Sequence, residues 1–262
     1  MRIATWNINS VRLRLPLIKR LMQEAAPDIL CLQETKAEDH VFPTQALQEL
    51  GFAHCYFSGQ KSYNGVAILS RMPLSNIHTE AFDWPGEKRH ISATLPDGAE
   101  LHNFYVPAGG DIPDPALNDK YDFKLKYMDA MIRWAEAKKR GKKSLIMVGD
   151  INIAPREHDV WSHKQLLDVV SHTPPETTRM ERLRETFGWV DSVRHFVPET
   201  EKIYSWWSYR NRDWEKSDRG RRLDHIWLTP DLKDRLQATR ILKPVRNWTQ
   251  PSDHVPVVVE VA

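Results

Sequence analysis

The sequence predicts an α/β fold of layered sheets flanked by helices, and three observations carry it. Short apolar runs of strand length recur along the 262 residues, and many end in a polar residue. Helix-period stretches lie between them. No internal repeat, low-complexity tract or Gly/Ser linker divides the chain, so residues 1–262 are expected to form one domain.

The elements read in order as follows. Arg2–Asn7 is a strand, and Val11–Ala25 an amphipathic helix with Pro27 beyond its end. Ile29–Glu34, Val66–Ser70, Ile91–Leu95 and Leu101–Val106 are the next strands. Asn118–Arg140 is the clearest helix: Tyr121, Leu125, Met128, Ile132 and Ala135 recur at spacings of four and three. Lys138, Lys139 and Arg140 suit its negative end, and Gly141 follows. Ser144–Asp150 is a strand whose continuous apolar stretch implies cover on both faces. Glu176–Phe187 is a third helix, and Asp224–Leu228 and Val255–Val261 are the last strands. The segments 107–117 and 205–223 read as long loops, which in a compact domain are usually functional.

Composition narrows the class. A 41% apolar content builds a core and excludes global disorder. No run approaches the length of a membrane span, and the first residues lack the pattern of a secretory signal, so no membrane association is expected. Two cysteines exclude a disulfide scaffold, and Cys31 in its apolar run suits a buried thiol in a reducing compartment. The expected location is the cytoplasm. A net charge of +2 says little about partners, since basic charge can still be focused on one face. Ten tryptophans are many for this length, and some of those rings are expected at a working surface.

The strand ends hold the chemistry. Asn7 ends the first strand, Glu34 the second, and Asp150 and Asn152 follow an apolar run. Asp224 opens a strand and Asp253-His254 precede the last one. Taken singly, each has an ordinary reading as a solvated carboxylate, an Asx turn or a cap. In an extended segment Asp150 and Asn152 point the same way. Together Glu34, Asp150, Asp253 and the two amides make a hard, oxygen-rich set that suits Mg²⁺ or Mn²⁺ rather than zinc. A buried Asp beside His254 would hold the imidazole and raise its pKa. These are parts that phosphodiester hydrolysis needs.

Seven segments then occur in order: Thr5-Trp6-Asn7-Ile8-Asn9, Leu32-Gln33-Glu34-Thr35-Lys36, Asn64-Gly65-Val66-Ala67, Asn103-Phe104-Tyr105-Val106-Pro107, Gly149 to Pro155, Arg222-Leu223-Asp224-His225 and Ser252-Asp253-His254-Val255-Pro256. Any one is weak; the ordered set resembles the exonuclease III family of abasic-site endonucleases, in the deoxyribonuclease-I-like superfamily. The resemblance runs from residue 2 to about residue 260. It implies a four-layer α/β sandwich of two mixed sheets face to face with helices outside. It implies that Glu34 is the principal metal ligand, with Asn7, Asp150, Asn152, Asp253 and His254 around the metal or its waters. Asp150 aligns or deprotonates the attacking water, Asn152 donates to the scissile phosphate, and Tyr105 faces the phosphate or leaving group. His254 is the catalytic histidine and Asp224 its partner. An Asp partner favours the imidazolium, which points to phosphate stabilisation over general-base duty.

The substrate must be argued from the loops. In Tyr204 to Arg210, alternation sends Trp206 and Trp207 to opposite faces. By the resemblance Trp206 and Leu223 wall the pocket for a flipped-out, base-free sugar, a slot too small for a base. Arg210, Arg212, Lys216, Arg219, Arg221 and Arg222, diluted by three acids, read as DNA-backbone contacts on such a frame. Lys61, Tyr63 and Asn64 are placed on the other flank, with Asn64 also supporting its own loop, and Lys120, Lys124 and Lys126 on the same side. The acidic loop Gly109 to Pro115 departs from the family and leaves the balance of endonuclease and exonuclease activity open. The expected protein is thus a monomeric, Mg²⁺-dependent DNA repair nuclease acting on duplex DNA at abasic sites and 3′ ends. Its rivals are a phosphatase or lipid phosphodiesterase on the same frame, and a binding module without turnover.

Overall fold

A computed structural model describes residues 1–141 and 143–262. Among the described residues the strands fall into two six-stranded sheets. The first holds β1 (Arg2–Asn7), β2 (Ile29–Gln33), β3 (His54–Ser58) and β4 (Val66–Ser70). The second holds β5 (Ser75–His78), β6 (His90–Thr94), β7 (Glu100–Tyr105), β8 (Leu145–Asp150), β9 (Val190–Asp191) and β10 (Asp224–Leu228). β11 (Leu236–Ile241) and β12 (Val257–Val261) return to the first. The orders are β11-β12-β1-β2-β4-β3 and β5-β6-β7-β8-β10-β9. One parallel pair sits in the middle of each sheet, β1 with β2 and β7 with β8; every other pairing is antiparallel.

Side-chain alternation makes four layers. Ile3, Cys31 and Ile68 of the first sheet meet Leu101, Ile146, Val148 and Ile226 of the second in a dry seam between the sheets. On the outer face of the first sheet, Ala4, Trp6, Leu30 and Leu32 pack on Ile18 and Leu21 of α1 (Leu15–Glu24). A short α2 (Thr44–Glu49) adds Leu47 to this cluster. On the outer face of the second, Phe104, Met147 and Trp227 pack on Met128 and Met131 of α3 (Asp119–Lys139). β8 is covered on both faces, as its apolar run implies.

Four smaller helices follow: α4 (His163–Leu166), α5 (Pro174–Phe187), α6 (Ser192–Phe196) and α7 (Trp214–Ser217). Met180 and Leu183 of α5 join the α3 layer. α5 starts where Thr173 and Glu176 close a capping box and stops at Gly188 in the left-handed region, φ 67°. No helix among the described residues is long and apolar enough to cross a membrane.

Two basic residues expected on DNA lie inside the protein instead. Arg222 is fully buried: Nε and Nη2 donate to Asp159 at 2.8 and 2.9 Å, and Nη1 to Asp191 at 2.7 Å. Lys124 is fully buried and paired with Glu176 at 2.5 Å. Both sit beneath the site's loops because a guanidinium or ammonium with carboxylate partners can be buried where a lone one cannot. Arg194 also donates to Asp159 at 2.6 Å. Burial opposes ionisation of Asp159, but Arg222 and then Arg194 outweigh it and hold the carboxyl below its ordinary range. Its stabilising share is therefore present above the unfolded carboxyl value and lost as pH falls through the folded one. Asp159→Asn is expected to lower unfolding free energy by about 3 kcal/mol at neutral pH, because two buried cations lose their anion. The gap from wild type should narrow below about pH 4. Denaturant melts at both pH values check this, and a constant gap would contradict it.

Candidate active site

The topology brings the polar strand ends to one rim. Parallel pairing of β1 with β2 sets Asn7 beside Gln33, so Glu34 follows at the same end. Parallel pairing of β7 with β8 sets Tyr105 beside Asp150, and antiparallel β10 sets Asp224 opposite Asp150. His254 comes in ahead of β12, fixed by Trp6 Nε1 donating to its carbonyl at 3.0 Å. Ser252 Oγ donates to the Asn7 carbonyl at 2.7 Å and accepts the His254 N–H at 3.2 Å.

Backbone strain marks the same rim. Glu34 and Asn152 are non-glycine residues in the left-handed region, φ 50° and 55°. β2 accordingly ends at Gln33, one residue earlier than its apolar pattern implies. Asn152 is not extended, so strand alternation is not what aligns it with Asp150. Its backbone N–H donates to Asp150 Oδ1 at 3.0 Å and its side-chain amide to Asp150 Oδ2 at 3.1 Å. Gly149 before them has φ 139°, and a Cβ there would lie 1.9 Å from the Phe104 carbonyl oxygen, so no side chain fits.

The site is one connected network. Asn7 Nδ2 donates to Glu34 Oε1 and to Asp150 Oδ2, both at 2.8 Å, and so stands between the two carboxylates. Tyr105 Oη donates to Glu34 Oε1 at 2.8 Å, and Lys36 Nζ pairs with Glu34 Oε2 at 2.8 Å. Burial alone would raise the Glu34 pKa, but Lys36, Asn7 and Tyr105 together hold it below its ordinary value. The Tyr105 phenol is pushed well up, first by burial and then by Glu34 and Asp150, so it remains a neutral donor.

His254 Nδ1 lies 2.8 Å from Asp224 Oδ2, and its Nε2 is 3.6 Å from Asp150 Oδ2. Burial disfavours the imidazolium, yet Asp224 and then Asp150 outweigh it and raise the His254 pKa. Asp150 moves up as well, chiefly from burial. Ser205, which the sequence reading passed over, orients Asp224: its Oγ donates to Asp224 Oδ2 at 2.7 Å.

Asp150, Asp224 and His254 present ligand atoms within 4.8 Å of one another and could hold a metal. That trio is already satisfied as an imidazolium between carboxylates. Glu34, Asn7 and Asp150 are the better fit for a hard cation: their donors are oxygens, and a cation there would offset the burial that raises the Asp150 pKa. Asp253 stands further along, accepting from Trp206 Nε1 at 2.9 Å and from Asn9 Nδ2 at 3.4 Å.

Beside this rim opens a cavity of about 770 Å³. Glu34, Asn152, Asp253 and His254 form its polar end, while Trp206, Leu223, Trp161 and Val170 line its walls. Trp206 and Trp207 do part company: Trp206 is half-buried against the cavity, while Trp207 is buried among Tyr204 and Trp214. The cavity falls in the range that holds drug-sized ligands, about 300–1,000 Å³. It is not the slot too small for a base that the sequence suggested. Arg210 lines it from an exposed position, and Arg221 is half-buried over the Trp206 ring at 5.2 Å, donating to the Val170 carbonyl at 2.8 Å.

On the other flank Lys61 is exposed and stands apart from the cavity lining, as does Asn64. Asn64 is nearly buried and spends its amide on Gln60 and Glu87, both at 2.9 Å, so it braces the loop rather than facing solvent. Lys120 and Lys126 are exposed. Lys124, inside, donates to the Asn152 carbonyl at 2.7 Å and thereby supports the site from beneath. Lys36, Asn9, Ser205 and Lys124 are the participants that sequence reasoning left without a role; the first two lie within the motif segments themselves.

Residues 4–254 match the model of the endonuclease/exonuclease/phosphatase family. The chain belongs to that family. It is a hydrolytic nuclease, similar over its whole length to exodeoxyribonuclease III of Haemophilus influenzae, with 30% identity covering 99% of each protein. Its fold superposes on that of an AP endonuclease from Archaeoglobus fulgidus with a TM-score of 0.92, at 32% identity over 100% of this chain and 99% of the other. It likewise superposes on a 3′-5′ exonuclease from Neisseria meningitidis with a TM-score of 0.91, at 33% identity over 100% and 99%. A two-sheet sandwich of this family is thus the architecture that the ordered motifs implied.

Proposed function

We propose that this nuclease cleaves the phosphodiester 5′ to abasic sites in duplex DNA and also removes nucleotides and blocking groups from 3′ ends, with Mg²⁺ as its metal and Mn²⁺ as a substitute. The observation that carries the reading is the continuity of the Glu34–Asn7–Asp150 rim and the His254–Asp224 pair with a cavity of aromatic walls and arginine edges. Similarity supports the substrate: the Archaeoglobus protein is named an AP endonuclease, and a Neisseria relative, a 3′ phosphatase, is bound to a product DNA hairpin. We take the chain to act as a monomer in the cytoplasm.

Glu34, Asn7 and Asp150 would hold the cation, with Asp253, Asn152 and His254 around it. When bound, the cation neutralises charge on the phosphate or leaving oxygen. Asp150 orients the attacking water and takes its proton, helped by burial that makes its carboxylate more basic. The Asn152 amide and the His254 imidazolium donate to the non-bridging oxygens as negative charge grows on them. Tyr105 stays protonated and donates toward the leaving oxygen. Trp206, braced by Asp253, walls the sugar. Arg210 and Arg221 meet the backbone, so affinity should fall with salt.

A labelled duplex with one central tetrahydrofuran residue tests this. One cut 5′ to that residue, leaving a 3′-hydroxyl, supports the reading; a soluble phosphomonoester or sphingolipid turned over with DNA left intact overturns it. Trp206→Ala is expected to slow that cut by about tenfold to a hundredfold, the worth of one stacked aromatic. Binding to intact duplex should change less than about twofold, since phosphate contacts supply it. Equal loss in a cleavage assay and a gel-shift titration would remove Trp206 from the pocket.

A further inference from the structure

The cavity holds more aromatic surface than a base-free sugar uses. Trp161 lies in it opposite the duties already assigned, half-buried, with the exposed Arg219 guanidinium 4.8 Å from its ring centre. The ring is held from behind. The Trp161 N–H donates to the Gly220 carbonyl at 3.1 Å, and its own carbonyl accepts from Lys202 Nζ at 2.9 Å. Trp161 packs on the same apolar cluster as Trp206 and Leu223, so the sugar wall and this second ring share one rigid support.

We propose that Trp161 and Arg219 form a stacking subsite for the nucleobase of a 3′-terminal nucleotide whose phosphodiester is being cleaved. The inference rests on the nuclease reading above. Three properties fit a base. An indole and a guanidinium both offer flat, polarisable faces, and every base has a π-face to lay on them. Such stacking tolerates any sequence, as removal of successive nucleotides requires. The cavity, about 770 Å³, has room for a sugar with its base attached. An abasic residue would fill the Trp206–Leu223 end and leave the Trp161–Arg219 end untouched. The subsite therefore governs how well base-bearing 3′ ends compete with abasic sites.

The test compares single-turnover rates on two labelled duplexes, one with a central tetrahydrofuran residue and one with a recessed 3′ end of ordinary nucleotides. For Trp161→Leu the ratio of 3′-end removal to abasic cleavage is expected to fall about tenfold, and for Arg219→Ala it should fall in the same direction. Trp161→Phe should keep the wild-type ratio, because it keeps a flat ring. Arg219 is exposed, so its variant decides the matter if Trp161→Leu melts early. A ratio within about twofold of wild type in both variants overturns the subsite. So does a wild-type protein that cuts the abasic duplex and leaves ordinary 3′ ends intact. A wild-type protein that cuts neither overturns the functional reading and the subsite with it.

Discussion

Asp150→Asn is expected to slow DNA cleavage by about 10⁴-fold, at the upper end of what a positioned general base contributes. Asp150 is fully buried, and its carboxylate accepts three donors: Asn7 Nδ2, Asn152 Nδ2 and the Asn152 backbone N–H. An amide has nearly the same shape but cannot take a proton from water. Its NH₂ would also face one of those donors, so the pose of Asn152 is disturbed along with the chemistry. The fold should persist, because the substitution removes a buried anion whose pKa burial already raises. DNA affinity in a gel shift should therefore stay near wild type while single-turnover cleavage collapses. Cleavage near the wild-type rate would remove Asp150 from water activation.

His254→Asn is the second large effect, expected at about 10³-fold, the loss seen when one buried donor to a developing oxyanion is removed. Here the donor carries charge, because Asp224 at 2.8 Å outweighs the burial that would neutralise the ring. The companion variant Asp224→Asn separates the two roles open to a histidine. Without the Asp224 charge, burial lowers the His254 pKa, so the ring loses its proton as pH rises. If the imidazolium stabilises the phosphate, cleavage by Asp224→Asn falls with rising pH through neutrality while wild type holds. If neutral His254 were a general base, the variant's rate would instead rise across that range.

The sequence and the structure agree best where apolar periodicity is strong. The eight strands expected from apolar runs all form, within two residues at their ends. The four not anticipated, β3, β5, β9 and β11, are the edges of the two sheets. An edge strand has one neighbour and meets water, so its sequence need not be apolar; all four residues of β5 are exposed. Site residues were legible for a related reason. Polar groups that close apolar strands, such as Asn7 and Asp150, stand out against the runs they end. Arg222 and Lys124 were misplaced because a basic residue looks the same whether it meets solvent or a buried acid. Only the folded chain brings Asp159 to the first and Glu176 to the second. The size of the cavity was likewise invisible, since Trp161 reaches Trp206 and Leu223 through the loop that carries it, not through any local pattern.

The central claim is that the rim of Glu34, Asn7 and Asp150 works with a divalent cation on DNA. The most direct measurement incubates protein with the tetrahydrofuran duplex in EDTA and then titrates Mg²⁺, for wild type and for Glu34→Ala. The account predicts no cut in EDTA, restoration by Mg²⁺ in wild type, and a titration displaced to higher Mg²⁺ in Glu34→Ala. Cleavage that persists in EDTA, or a Glu34→Ala titration that overlays wild type, would contradict it.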